Sequence, residues 1–174
     1  MTVIPTLATD RLLLRAFEPR DESAYLAMMA DPEVTRFLGD GRPLNEADAW
    51  RQLALILGHW TLRGFGLWAV EERATGELVG RVGCLEPAGW PGFEIGWVLA
   101  RPFWGKGYAT EAARAALQFA RDVLERDRII SLIRPGNDAS IRVAEKLGAA
   151  PDGETTFFGA PTLVYAYPAT VPQS

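Results

Sequence analysis

Phe93-Glu94-Ile95-Gly96-Trp97-Val98-Leu99 leads through Ala100-Arg101-Pro102-Phe103 into Trp104-Gly105-Lys106-Gly107-Tyr108-Ala109-Thr110-Glu111-Ala112. The first seven residues read as a strand. Beyond the turn, Ala113, Ala116, Leu117, Ala120 and Leu124 recur at helical spacing, so a long helix is predicted to about residue 124. Small residues at 105, 107 and 109 let backbone N–H groups converge where that helix starts. Unpaired amides and the positive end of the helix dipole bind a phosphate there, and Lys106 can add a cation. A plain strand-to-helix connection fits the same spacing. A dinucleotide-binding turn fits poorly, because Thr110 stands where the third glycine belongs and Arg101-Pro102-Phe103-Trp104 separates the strand from the first glycine.

Working outward, residues 129–133 form an apolar strand, parallel to 93–99 if the helix between them is a crossover. Residues 137–147 read as a short helix ended by Gly148, and 154–158 with 163–167 as a closing hairpin. Upstream, residues 9–15 read as a strand and 19–30 as a helix stopped by Asp31-Pro32, since a residue before proline resists the α region. Asn45 can cap a second helix over 45–62, with Glu46 and Asp48 in its first turn and Gly64 at its end. Residues 65–72 and 77–85 are strands around the tight turn Ala74-Thr75-Gly76. The irregular alternation predicts one mixed α/β domain over 1–174, with its core at about 8–168, and a mostly antiparallel sheet of six or seven strands.

The 174 residues suffice for one domain with a real core, and 48% hydrophobic with 23% charged residues is globular composition. A net charge of −4 disfavours a nucleic-acid partner and mildly favours a cationic substrate. Cys84 and His59 are the sole cysteine and histidine, so no intrachain disulfide forms and no zinc site is built from Cys and His alone. The start Met1-Thr2-Val3-Ile4-Pro5 lacks the features of a secretory signal, and no stretch reaches the length of a membrane span. The cytoplasm is the expected compartment.

Gly107 and Ala109 fall on the small positions of the coenzyme A signature of the GNAT superfamily, Arg/Gln-x-x-Gly-x-Gly/Ala, with Trp104 at the Arg/Gln position as a departure. The run Trp104-Gly105-Lys106-Gly107-Tyr108-Ala109-Thr110-Glu111-Ala112 is similar to the branch that includes the ribosomal-protein N-acetyltransferases (RimJ/RimL type). So are Thr9-Asp10-Arg11-Leu12-Leu13-Leu14-Arg15 and the segment from Pro135-Gly136-Asn137-Asp138-Ala139-Ser140 to Leu147-Gly148. The resemblance covers roughly residues 8–168. It implies that strands 93–99 and 129–133, the fourth and fifth, splay apart and take the pantetheine arm of acetyl-CoA along the backbone of Val98 and Leu99. The pyrophosphate would rest on the amides of residues 104–109, through Trp104, Gly105, Lys106, Gly107, Tyr108 and Ala109, with Thr110 adjoining and Asn137 touching the coenzyme.

Under that resemblance Glu94 is the choice for general base, removing a proton from an incoming ammonium. An ammonium anchor or a structural carboxylate are the other readings. Asn137 and Ser140 suit the N-terminus of the short helix as caps. The resemblance adds that the tyrosine many relatives use to protonate the departing thiolate is replaced by Ala144 here, leaving Ser140 for that role. Trp50, Trp60, Trp68, Trp90 and Trp97 either line an acceptor pocket or belong to the core. His59 reads as an ordinary helix-face histidine and Cys84 as a small buried hydrophobe. Arg114 and Arg142 either approach the 3′-phosphate or are solvated helix charges. The implied activity is acetyl transfer from acetyl-CoA to a primary amine, on a protein N-terminus or a small molecule. The alternative is a non-catalytic acyl-CoA sensor or scaffold. The implied partners are acetyl-CoA and an amine acceptor, with a homodimer left open and neither nucleic acid nor membrane among them.

Overall fold

Alternating apolar positions close one continuous sheet in a computed structural model that describes residues 3–169. Its strands are β1 (Leu7–Ala8), β2 (Leu12–Arg15), β3 (Leu67–Glu72), β4 (Leu78–Leu85), β5 (Glu94–Leu99), β6 (Ile129–Ile133), β7 (Ala150–Phe157) and β8 (Ala160–Tyr167). They are ordered β1-β2-β3-β4-β5-β6-β8-β7, and every pair is antiparallel except β5 with β6. Eight strands replace the expected six or seven. The predicted strand at 9–15 shortens to β2, and a further strand, β1, precedes it, because Thr9 turns the chain: its Oγ1 accepts from the Leu12 N–H at 3.0 Å. The closing hairpin also begins earlier and turns more tightly than expected, through Phe158-Gly159. Met1, Thr2 and the tail from residue 170 lie outside the described residues.

The helices are α1 (Glu22–Met29), α2 (Pro32–Thr35), α3 (Glu46–Arg63), α4 (Tyr108–Asp122) and α5 (Asp138–Lys146). Local chemistry sets the bounds of α3. The Asn45 side chain accepts from the Asp48 N–H, and Gly64, at φ 75°, returns its N–H to the Trp60 carbonyl. One face of the sheet packs Ile95 and Leu99 against Ala112, Ala113, Ala116 and Leu117 of α4 and Ala144 of α5. The other packs Leu85 and Val98 with Tyr25, Met28 and Met29 of α1 and Leu53 and Ile56 of α3. Strand β5 therefore carries both layers. Among the described residues no helix is long and apolar enough to cross a membrane.

Two charge networks tie the first strands to the rest. Thr9 Oγ1 and the Arg11 N–H both donate to Glu111 Oε1 of α4, at 2.6 and 2.9 Å. Arg11 Nε meets Glu111 Oε2 at 2.7 Å, and its Nη1 donates to the Lys106 carbonyl at 2.9 Å. The segment Thr9-Asp10-Arg11 thus clamps the glycine-rich turn to the start of the chain. Deeper, the buried Arg15 forks onto both oxygens of Asp21 at 2.7 and 2.8 Å and onto Glu71 at 2.7 Å. Burial pushes the Asp21 carboxyl up, but the Arg15 N–H groups and the Glu18 amide outweigh it and hold Asp21 below its ordinary range.

Asp21→Asn is expected to lower stability by about 2–3 kcal/mol at pH 7, because it leaves Arg15 short of a counter-charge in a buried place. A carboxylate with a depressed folded pKa stabilises above its unfolded pKa and loses that effect as pH falls. Urea denaturation should show the gap between wild type and variant narrowing as pH drops below about 4.

Candidate active site

The ladder between β5 and β6 consists of one register pair, Glu94 opposite Ile130, with the Ile130 N–H on the Phe93 carbonyl at 3.0 Å. Beyond it the strands part. A parting parallel pair strands backbone donors and acceptors, each of which must find another partner. The Ile95 carbonyl takes the Ser131 hydroxyl at 2.6 Å. With its proton committed, Ser131 Oγ accepts from the Tyr167 hydroxyl at 2.8 Å. The Leu132 amide stands near enough to the Glu94 carboxylate to lower its pKa.

Strand parity decides which groups face the gap. The Ala100 N–H bonds the Val79 carbonyl, and Val98 stands opposite Arg81 in the same ladder. Two-residue alternation therefore turns the N–H and C=O of Val98 toward β4, and those of Trp97 and Leu99 toward the gap. The resemblance implied backbone contacts at Val98 and Leu99. The register turns the Val98 N–H away from the gap and that of Trp97 into it, while the Leu99 carbonyl already accepts the Trp104 indole N–H at 2.8 Å.

A cleft of about 450 Å³ opens on the α4–α5 side of the gap, lined by Trp97, Val98, Leu99, Trp104, Gly105, Gly107, Tyr108, Ala109, Thr110, Asn137 and Ser140. Gly105 and Gly107 sit at φ 75° and 80°, a left-handed backbone natural only to glycine. Among the described residues no turn or cap bond uses the N–H groups from Gly105 to Thr110 as donors, and all of these residues but Lys106 line the cleft at the start of α4. Trp104 is not among them, because its N–H closes the tight turn Arg101–Phe103 on the Arg101 carbonyl at 3.1 Å. Lys106 also departs from expectation. Its ammonium lies over the rings of Phe103 and Tyr108, at 5.1 and 5.8 Å, and it does not line the cleft. Positive charge comes instead from Arg36, Arg142 and Lys146 against Glu33. Arg142 was foreseen; Arg114 does not line the cleft.

Across the gap lies a second chamber of about 300 Å³. Phe37, Leu38, Trp97, Val98, Asn137 and Ser140 line both, so the two spaces meet at the splay. Glu94 lines the second, 8% exposed, with Trp90 Nε1 donating to its Oε2 at 2.6 Å. Burial raises its pKa to about 7, opposed by the Trp90 N–H, the Leu132 amide and the Arg81 charge. Gly96 lies on the same face beside the carboxylate, where an added Cβ would stand in ordinary contact 3.6 Å from Oε1.

At the junction, Asn137 caps α5 by accepting the Ser140 N–H at 3.3 Å, and the Trp97 indole N–H donates to Ser140 Oγ at 3.2 Å. That leaves the Ser140 proton free to be given away. Ala144, where the resemblance located the family's tyrosine, is fully buried in the core and lines neither chamber. Of the tryptophans, Trp90, Trp97 and Trp104 line the chambers, Trp60 and Trp68 are core, and Trp50 is exposed. His59 is structural: Nδ1 donates to the Phe65 carbonyl at 2.7 Å and Nε2 accepts the Glu86 N–H at 3.1 Å. Cys84 is buried, and burial drives its thiol pKa far up, away from thiolate chemistry. Sequence reading missed Arg81, Gln52 and Arg134 in the second chamber. A signal for Arg81 existed: it is the sole charge in Leu78-Val79-Gly80-Arg81-Val82-Gly83-Cys84-Leu85.

A family described as "Acetyltransferase (GNAT) domain" matches residues 11–150. YkkB of Bacillus subtilis (strain 168) is 39% identical over 150 residues, 82% of this chain and 83% of that protein. The acetyltransferase of Agrobacterium tumefaciens str. C58 superposes with a TM-score of 0.84 at 34% identity, covering 94% of each chain. A ribosomal-protein-S5-alanine acetyltransferase of Vibrio fischeri has the same fold, with a TM-score of 0.73 at 15% identity over 95% of this chain and 97% of that one.

Gly107→Val should weaken coenzyme A binding at least about tenfold, because a β-branched residue resists the left-handed backbone that aims these amides. Titration calorimetry checks it, alongside a melting curve to confirm the fold.

Proposed function

Because the chain belongs to the GNAT acetyltransferase family, we propose that it transfers an acetyl group from acetyl-CoA to a primary amine, the two substrates meeting where strands β5 and β6 part. One observation carries this reading: two chambers share Trp97, Val98 and Ser140 as a common wall, one ending at the free amides of Gly105 and of Gly107 to Thr110 and the other in a buried carboxylate. The free amides from Gly105 to Thr110, the dipole of α4, and Arg36, Arg142 and Lys146 fit a pyrophosphate with further phosphate. The gap beside β5 fits an extended arm that hydrogen-bonds like an added strand.

Acetyl-CoA supplies a thioester, whose carbon–sulfur bond breaks as a nitrogen–carbon bond forms. Glu94 takes the proton of the incoming ammonium, directly or through one water. A pKa near 7 suits that task, since the group is then a competent base at working pH. The Trp97 N–H, without a ladder partner on the β6 side, faces the place where the thioester carbonyl would lie. Ser140, its oxygen engaged by the Trp97 indole, gives its proton toward the departing sulfur. Holding both reactants at one gap contributes more than any single group. The chemistry is tested by thiol release from acetyl-CoA in the presence of a pool of amines. Absence of release with every amine would overturn the reading.

Glu94→Gln is expected to lower kcat by roughly 10²–10⁴ with coenzyme A affinity nearly unchanged. Wild-type kcat should rise with pH through about 7 as the carboxyl ionises, and that limb should vanish in the variant. An anchoring role would raise acceptor KM and spare kcat.

A further inference from the structure

The second chamber holds a charge that the acetyl-transfer chemistry does not use. Arg81 points from β4 onto the face shared by Glu94, Gly96 and Val98 and is 9% exposed. Its Nε is buried with no hydrogen-bond partner, and among the described residues no carboxylate lies within ion-pair distance of its guanidinium. Beside it the Tyr25 hydroxyl donates to Gln52 Oε1 at 2.6 Å and keeps its lone pairs toward the guanidinium, a neutral neighbour that supplies no counter-charge. A buried cation without a counter-ion is costly, and a guanidinium fork is the shape that a carboxylate satisfies with two parallel hydrogen bonds.

The rest of the lining agrees. Arg134 also borders the chamber and spends its donors on neutral oxygens, at Ala160, Pro161, Thr162 and Gly39. Two guanidiniums thus face one carboxylate, Glu94, and the chamber is not the acidic pocket that a net charge of −4 mildly favoured. Its outer wall is apolar: Trp90, Phe157 and Phe158 pack edge-on, with ring centroids 4.4–5.8 Å apart, and Phe158 is 60% exposed.

We propose that the acceptor is an amino acid with a free carboxylate and an apolar side chain, its amine at Glu94, its carboxylate on Arg81, and its side chain against Trp90, Phe157 and Phe158. This rests on the acetyltransferase reading, and it excludes polyamines and peptide N-termini as preferred acceptors. A space of about 300 Å³ is of the right order for such a molecule.

The test measures kcat/KM by thiol release for phenylalanine, methionine and leucine, each beside its carboxamide and its decarboxylated amine, with a phenylalanyl peptide amide and spermidine in the same panel. The expected result is that at least one free amino acid exceeds its carboxamide and its amine by about tenfold or more. In Arg81→Gln that ratio should fall to near one, with coenzyme A binding by calorimetry retained as evidence of folding. Carboxamides, peptide or spermidine acetylated as well as the free amino acids would overturn this proposal alone. No transfer to any amine would overturn the transferase reading and this proposal with it. If Arg81→Gln does not fold, the wild-type panel decides by itself. A ratio that survives the substitution removes Arg81 from the recognition of carboxylate.

Discussion

A parallel strand pair that stops after one register pair is the constraint on which the rest of the site depends. Backbone donors and acceptors cannot be left dry, so each strand edge beyond Glu94 and Ile130 is either covered or kept for a guest. Ser131 covers the Ile95 carbonyl, and the Trp104 indole covers the Leu99 carbonyl. The Trp97 N–H is kept. The same opening that exposes it sets the two chambers against each other, so under the proposed function the wedge in the sheet would serve both as binding slot and as place of reaction. Glu94 sits at the apex, which explains its burial and hence its raised pKa.

Much of this was legible because it is local. Asn45 and Gly64 bound α3 as their cap chemistry dictates, and Gly105 and Gly107 adopt the left-handed backbone that their identity permits. What the sequence left open depended on registers between distant strands. Whether Val98 or Trp97 faces the gap is decided by the pairing of Val98 with Arg81, and nothing within residues 93–99 reveals that parity. The amide of Trp104 was lost to a tight turn around Pro102, whose signal lay in the sequence but read as a mere connector. Lys106 looked like a phosphate ligand by position. Its ammonium instead lies on two rings, brought together by the clamp of Thr9 and Arg11 on Glu111.

Charge behaves differently at the scale of the chain and of the site. The protein is acidic overall, yet both chambers are lined by more guanidinium and ammonium groups than carboxylates. Acidic residues such as Asp21, Glu71 and Glu111 are spent on the buried Arg15 and the exposed Arg11, which fasten the first strands to the sheet and α4. Composition therefore says little about the substrate. Arg81, whose buried Nε has no hydrogen-bond partner among the described residues, says more, because burial makes that lack expensive.

The measurement that bears most directly on the splay as the donor site is a titration of ¹⁵N-labelled protein with coenzyme A, followed amide by amide. The account predicts that the amides of Trp97 and of Gly105 to Thr110 shift together at one affinity, while those of Val98 and Trp104, already bonded within the protein, move least. Shifts confined to the second chamber, or a Val98 amide that moves more than that of Trp97, would contradict it.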